Sequence, residues 1–369
     1  MHFIKSLLHI FNPDITIRRI QTSEETEKGT ISHEFVCFDA KGVCVSNVFS
    51  AKILAKKMGK KVFPFLNNLV ETTKDKEKSA KILKTKAWVF KKAVWHPMLV
   101  EKCAQKVLQK MKNSAQINEI PLPYKEIYKD VCIIAVLHDI GRLSEVDIAQ
   151  GTVVMKGSGL NKNHAAISYD ILENALIKPE ILLAIKYHEF ADIKEAVQDE
   201  VYEKLPADNK KISEFYIRIL QDMDKTANLL ERSKFGIKKC AEFHDSCYIQ
   251  DYDLTEEYFE QAMCGNYLNL KGGHLLDAMM RFVTWTYSIH FVQTKELLSS
   301  VLTNFFWQMY LEAKREYDAS KTKNAQKLAD TLEKITQLED YAIVQRMNMA
   351  VNLANRYKIN KQIAALRKN

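Results

Sequence analysis

The amino-acid sequence predicts a mainly helical fold, with a small α+β region at the N-terminus and a helical extension at the C-terminus. The chain of 369 residues contains only 11 glycines and 7 prolines, whereas an all-β fold needs many tight turns built from both. From about residue 91 onward, apolar residues recur at helical spacing. We therefore expect an α+β region over 1–90, a helical domain over 91–235 and a helical extension over 236–369.

The N-terminal region carries signals for strands. HEFVCFD and VCVSNVF flank the sequence AKG, which predicts a β-hairpin with Gly42 at its turn. DITIRRIQT predicts a possible third strand. SAKILAKKMG then follows helical spacing, and this helix is expected to stop at Gly59.

Five helices are predicted in the central domain. Pro97 and Pro179 fall in first turns, where proline is tolerated, and Gly141 is expected to terminate the second helix. In chain order the five segments are HPMLVEKCAQKVLQKM, YKEIYKDVCIIAVLHD, NKNHAAISYDILENAL, PEILLAIKYHEF and, after a loop around LPADNKK, ISEFYIRILQDMDKTANLLERS.

Three or four more helices are predicted in the C-terminal extension. LLDAMMRFVTWTYSIHF and ELLSSVLTNFFWQMYLEAKREY carry aromatic residues at helical spacing. This pattern predicts core packing or a homo-oligomer contact.

The charge of the chain is unevenly distributed. The formal net charge is +8, with a lysine-rich stretch over residues 51–92 and a tail after Asp340 that has no acidic residue. Such patches can attract phosphate groups or nucleic acid, although solvated helix faces have the same composition.

The apolar runs and the cysteines of the sequence indicate the cellular compartment that we expect for the protein. The longest purely apolar run covers residues 131–137, too short for a membrane span, which needs roughly 20 residues. The seven cysteines form no CxxC pair. They indicate reduced thiols and predict a cytoplasmic protein.

Histidines and aspartates at the ends of consecutive predicted helices form a candidate metal site. A helical bundle can direct such residues into one cavity, and the buried doublet that ends the most apolar helix needs a partner or a metal. Imidazole and carboxylate ligands suit Mn, Fe, Zn, Ni or Co, and a divalent ion activates water and screens phosphate charge. The candidate ligands are His96, His138, Asp139, His164, His188 and Asp224.

The segment LHDIGR resembles the signature of the HD-domain superfamily, named for its His-Asp doublet. The family pattern has an upstream His, the doublet and a later Asp, here His96, His138-Asp139 and Asp224 in QDMDKTANLL. The resemblance covers about residues 91–235. It implies an HD-type helical bundle and a metal-dependent phosphohydrolase or phosphodiesterase that acts on a nucleotide or related phosphoester through a metal-activated water.

The resemblance also suggests roles for further residues. In branches that bind two metals, extra histidines on intervening helices complete the second site, so His164 and His188 predict two ions. Helical periodicity does not decide between Asp222 and Asp224, but the family pattern favours Asp224, which precedes Lys225. Arg142 and Lys225 are expected to contact a substrate phosphate, although a cation at the position of Arg142 also suits a helix C-terminus.

Other interpretations of these residues, and a second candidate metal site, remain open. YHEFADI matches part of a cyclic-dinucleotide hydrolase motif, but Tyr187 replaces one His and the following Gly and GYP are missing. His244 and Asp245, with Cys240 and Cys247, could form a zinc site, although exposed loop residues are the simpler interpretation. The alternatives for function are an HD-fold di-iron oxygenase, which shares the ligand order, and a non-catalytic protein that binds nucleotide or nucleic acid.

Overall fold

The computed structural model describes residues 15–26, 29–153, 163–190, 193–235, 249, 251–268 and 273–368. The fold is mainly helical with a small N-terminal antiparallel sheet, as the sequence predicts. The chain divides into two compact units, Met1–Asp224 and Lys225–Asn369. This division falls inside one long helix, whereas the sequence analysis places domain boundaries at residues 90 and 235.

The sheet of the first unit has four antiparallel strands in the order β1-β2-β3-β4. Its first strand covers most of the predicted segment DITIRRIQT, and pairs along its whole length with the second. The strands are β1 Thr16–Thr26, β2 Gly29–Asp39, β3 Val146–Asp147 and β4 Thr152–Val153.

The predicted hairpin around Gly42 is wrong. Gly42 does adopt a turn conformation with φ of 73°, but the segment after it forms no strand with HEFVCFD. Asn47 accepts a hydrogen bond from the Ser50 amide and caps a helix that starts at Val48. This capping interaction competes with extended structure, so HEFVCFD pairs with the strand before it instead.

Nine helices lie wholly within the described part of the first unit. The predicted stop at Gly59 is wrong: α1 passes through Gly59, because Met58, Val62 and Leu66 bury one face of the continuing helix and outweigh the cost of about 1 kcal/mol for a helical glycine. The helices are α1 Val48–Thr72, α2 Lys76–Phe90, α3 His96–Met111, α4 Ala115–Asn118, α5 Tyr124–Leu137, α6 His164–Leu172, α7 Pro179–Tyr187, α8 Lys194–Val197 and α9 Glu200–Glu203.

Helix α5 is the centre of this unit. Every residue over 130–137 is buried, and the helix packs against α1, α3 and α7. A helix that is apolar on all sides must be surrounded by other elements. The His-Asp doublet at its end is therefore placed in the interior.

Helix α10, Ala207–Phe235, crosses the division between the units. The second unit contains α11 Glu256–Met263, α12 Leu275–Thr284, α13 Val292–Ala319, α14 Ala325–Glu339 and α15 Leu353–Leu366. The aromatic-rich segments supply its core, with Phe305 and Phe306 fully buried. A homo-oligomer contact stays a prediction.

Two observations bear on membranes and on the basic tail. Across the part of the chain that the structure describes, no helix has the length and apolarity of a membrane span. In the tail, Arg356 forms ion pairs with Glu339 and Asp340, and Arg367 pairs with Glu333. Part of the tail's positive charge is thus neutralised within the chain.

Candidate metal centre

The six predicted ligands converge in the first unit, and five of them lie at or next to the point where a helix begins or ends. His96 and His164 are the first residues of α3 and α6. His138 and His188 are the C-terminal cap residues of α5 and α7. Asp139 follows His138 directly, and Asp224 lies in the interior of α10.

The carboxylate of Asp139 lies between two groups of histidines. Its Oδ2 is 3.8 Å from His96 Nε2 and 3.8 Å from His138 Nε2. Its Oδ1 is 3.0 Å from His164 Nε2 and 3.8 Å from His188 Nε2. All five residues are buried, and they form two groups that could hold a metal ion and that share Asp139.

Asp224 joins the first of these groups. Its Oδ1 is 2.8 Å from His96 Nε2 and 3.6 Å from His138 Nε2. Asp222 lies two residues earlier in α10 and is fully buried. The geometry brings Asp224 to the same histidines that surround Asp139 Oδ2.

Two of the histidine rings are held with one nitrogen directed into the cluster. His138 Nδ1 donates to the Ala135 carbonyl at 2.9 Å, and His188 Nδ1 donates to the Ile185 carbonyl at 2.7 Å. Within the described residues, the buried Nε2 atoms of both rings have no hydrogen-bond partner. Backbone carbonyls that fix the tautomer in this way are typical around metal-binding histidines, so this donor set fits a metal.

His164 is oriented by a carboxylate instead. Its Nδ1 is 2.9 Å from Glu189 Oε1, and its Nε2 is 3.1 Å from Arg142 Nη2. Burial and the charge of Arg142 lower the pKa of His164, but Asp139 and Glu189 outweigh them and raise it overall. A carboxylate behind the imidazole is a common support for a metal-binding histidine.

The surrounding charges set the protonation states of the ligands. Burial raises the pKa of Asp139, but Arg142, the neighbouring histidines and Lys92 hold it well below its usual range. Burial likewise raises the pKa of Asp224, but the imidazoles of His138 and His96 beside it hold it well below normal. Burial, together with the neighbouring histidines, lowers the pKa of His188 to about 4. Ionised carboxylates and a neutral imidazole are the states that bind metal.

Lys92 is a site residue that the sequence analysis did not identify. It is 9% exposed, and its Nζ lies 3.7 Å from Asp139 Oδ2. A π-helical turn over Lys91–Trp95 joins α2 to α3, and such turns are frequent at functional sites. A lysine four residues before His96 could have been noticed by its shared helix face, but the many lysines around it obscured that signal.

Gly141 has a different role from the predicted one. It lies beyond the end of α5, in the 3-10 turn Ile140–Glu145, and its amide donates to Ser168 Oγ at 2.8 Å. An added Cβ would overlap the His164 carbonyl oxygen and lie 2.6 Å from the Ser168 amide nitrogen. The missing side chain therefore allows α6, which carries His164, to approach the doublet.

Gly141→Ala is expected to destabilise the protein by about 1–3 kcal/mol, because the new methyl group overpacks this contact. It should also weaken metal binding, because α6 moves away from Asp139. Urea unfolding and bound-metal content measure the two effects. Gly42→Ala is the control for metal content alone, since an added Cβ there has no neighbour within 4 Å but its φ of 73° strains any alanine. Equal metal loss in both variants would contradict the role of Gly141.

Two predicted phosphate contacts have protein partners. Arg142 Nε lies 3.2 Å from both carboxylate oxygens of Asp139, and its Nη1 is 3.3 Å from Glu145 Oε2. Lys225 Nζ donates to Ser288 Oγ at 2.8 Å in the second unit. The alternative zinc residues Cys240, His244, Asp245 and Cys247, and Asp192 of the partial motif, lie outside the described residues.

Asp224→Asn is expected to weaken metal binding far more than Asp222→Asn. The amide keeps the shape of the side chain but removes the anionic charge that a metal ion requires, so we expect a loss of at least about 100-fold, beyond the usual cost of changing a group that only supports a ligand. Asp222→Asn is the matched control, a buried carboxylate on the same helix. Mn²⁺ titration measures both affinities, and the opposite order would remove Asp224 from the ligand set.

No protein-family model matches the sequence, and neither the curated proteins nor the solved structures include a match to it. The buried cluster of His96, His138, Asp139, His164 and His188 could bind a metal ion. This statement rests on the geometry alone, and membership of the HD superfamily stays a prediction.

Proposed function

We propose that the protein is a metal-dependent phosphohydrolase that acts on a nucleotide or related phosphoester. The observation that carries the proposal is the single buried carboxylate of Asp139, shared by two groups of histidines. A centre of this kind suits two divalent transition-metal ions. In the proposed arrangement one ion is held by His96, His138, Asp139 and Asp224, and the other by Asp139, His164 and His188.

Divalent ions bound by these residues would supply an activated water and charge stabilisation for the attacking and leaving oxygens of a phosphoester. The protein's own contribution is to hold the ligands in the required state. Ala135 and Ile185 fix two imidazole tautomers through their carbonyls. Helix α5 places the doublet in the interior, where charges interact more strongly than in bulk water.

The cations beside the ligands favour an anionic substrate. Lys92 and Arg142 both approach Asp139, and their side chains are 11% and 14% exposed. Positive charges held in a buried site attract the phosphate group of a substrate and stabilise charge that develops on it. These charges would attract an anionic substrate more strongly than an uncharged one, and for this reason we favour the phosphohydrolase over the di-iron alternative.

The test is a metal analysis coupled to a phosphate-release screen over nucleotides and other phosphoesters. We expect turnover by the metal-loaded full chain and its loss on chelation. Oxygen consumption by the iron-loaded protein without phosphate release would support the oxygenase instead. Tight nucleotide binding without turnover in a metal-replete sample would support a non-catalytic binding protein.

A further inference from the structure

The first ligand group is His96, His138, Asp139 and Asp224, and the second is Asp139, His164 and His188. The two groups differ in the side chains that contact their ligand atoms. In the second group, Arg142 Nε lies 3.2 Å from Asp139 Oδ1, and Arg142 Nη2 lies 3.1 Å from His164 Nε2. Two of the three ligand atoms of this group thus have a guanidinium nitrogen within hydrogen-bond distance. The positive charge of Arg142 stands where a second metal ion would need to approach.

The lone pair of His164 Nε2 is engaged in either protonation state of the ring. A neutral imidazole accepts a hydrogen bond from Arg142 Nη2, and an imidazolium donates to Asp139 Oδ1 at 3.0 Å. A nitrogen engaged in this way cannot coordinate a metal at the same time. Binding of an ion by the second group therefore requires the guanidinium to turn away from His164.

Arg142 also reaches the first group, because its Nε lies 3.2 Å from Asp139 Oδ2, but in the second group it engages a histidine nitrogen as well. Lys92 Nζ is 3.7 Å from the same Oδ2, which is beyond hydrogen-bond distance. The 2.8 Å contact of His96 Nε2 with Asp224 joins two members of the same group, and a proton between two ligands is released when a metal binds. Both ions must therefore compete with Arg142 for Asp139, and an ion in the second group must in addition displace the guanidinium from His164.

From this difference we infer that Arg142 occupies the second ligand group in place of a metal ion, so that the two ions bind sequentially and the second binds more weakly. The inference rests on the proposed two-ion centre. Glu145, which accepts from Arg142 Nη1 at 3.3 Å, gives the displaced guanidinium an anchor that does not involve the ligands. Turned away from His164, Arg142 would be able to contact a phosphate group.

The test is a titration of the full chain with Mn²⁺, followed by calorimetry and by electron paramagnetic resonance, in which two adjacent Mn²⁺ ions give a spin-coupled signal. In the wild type we expect two steps, with the second at least about tenfold weaker, because a cation close to the ligands opposes it. Arg142→Gln should tighten the second step by about tenfold and leave the first less affected.

Lys92→Gln is the matched control, because it removes a positive charge from the opposite side of the same carboxylate. It should not selectively tighten the second step. Equal affinity for both ions in the wild type, loss of the second step in Arg142→Gln, or no Mn²⁺ binding at all would each overturn the inference.

Circular dichroism checks that the variants are folded, and Arg142→Lys provides a second variant that keeps the charge. Lysine lacks the planar fork of donors with which Arg142 reaches Asp139, Glu145 and His164, so this variant should give a second-step affinity between the other two. A second step as weak as in the wild type would count against the inference. Two-step Mn²⁺ binding without phosphate release in any nucleotide screen would reject the proposed hydrolase but not the role of Arg142.

Discussion

Asp139→Ala is expected to abolish both metal binding and turnover while most of the helical structure remains. Asp139 is the one residue that belongs to both ligand groups, so its removal takes a ligand from each proposed ion at once. It also leaves Arg142 and Lys92 buried without the carboxylate they approach. Breaking a buried ion pair costs about 3–5 kcal/mol, so the variant should unfold at a lower urea concentration.

Asp130→Ala separates the loss of a ligand from the loss of a buried charge. Asp130 is 1% exposed and accepts hydrogen bonds from Lys178 and Tyr216 rather than from the cluster. Its removal should destabilise the protein but leave bound metal unchanged. Substantial turnover by Asp139→Ala would reject its catalytic assignment, and a collapse of its helical circular dichroism would assign it a structural role.

The success of the sequence analysis at α5 has a physical cause. A run of apolar residues that ends in His-Asp predicts a buried helix with two titratable groups at its end, and the structure confirms that burial. The neighbouring helices begin or end close to the predicted residues because Pro97, Pro179 and Asn163 mark their first turns. Local signals of this kind depend only on nearby residues.

The failures of the sequence analysis came from one local capping signal that it did not use and from contacts between distant residues. Alternating apolar residues after Gly42 suggested a strand, but a capping interaction and the pairing of β1 with β2 decided otherwise. The sequence predicts Gly141 as a helix terminator. In the structure its missing side chain instead allows the close approach of α6, which comes later in the chain. Lys92 approaches Asp139 from a π-helical turn, and the many lysines around it obscured the spacing that relates it to His96.

The number of metal ions is the second property for which we expect a large effect. Elemental analysis of the protein at saturating Mn²⁺ should find two ions per chain in the wild type and one in the double variant His164→Ala, His188→Ala. These two histidines contribute two of the three ligands of the second group, whereas the first group keeps His96, His138, Asp139 and Asp224. Turnover should fall with the second ion, because two ions together stabilise the attacking and leaving oxygens.

The complementary double variant His96→Ala, His138→Ala is the matched control, since it removes the same number of imidazoles from the other group. It should lose the first, tighter ion, and because Arg142 contacts the remaining group, the second should then bind weakly as well. The two double variants are thus expected to differ. The His164, His188 variant should retain one ion tightly, whereas the His96, His138 variant should retain none tightly. An unchanged single ion in the wild type and in the His164, His188 variant would remove the second site. It would also remove most of the case for a di-iron oxygenase, which requires both groups to hold metal.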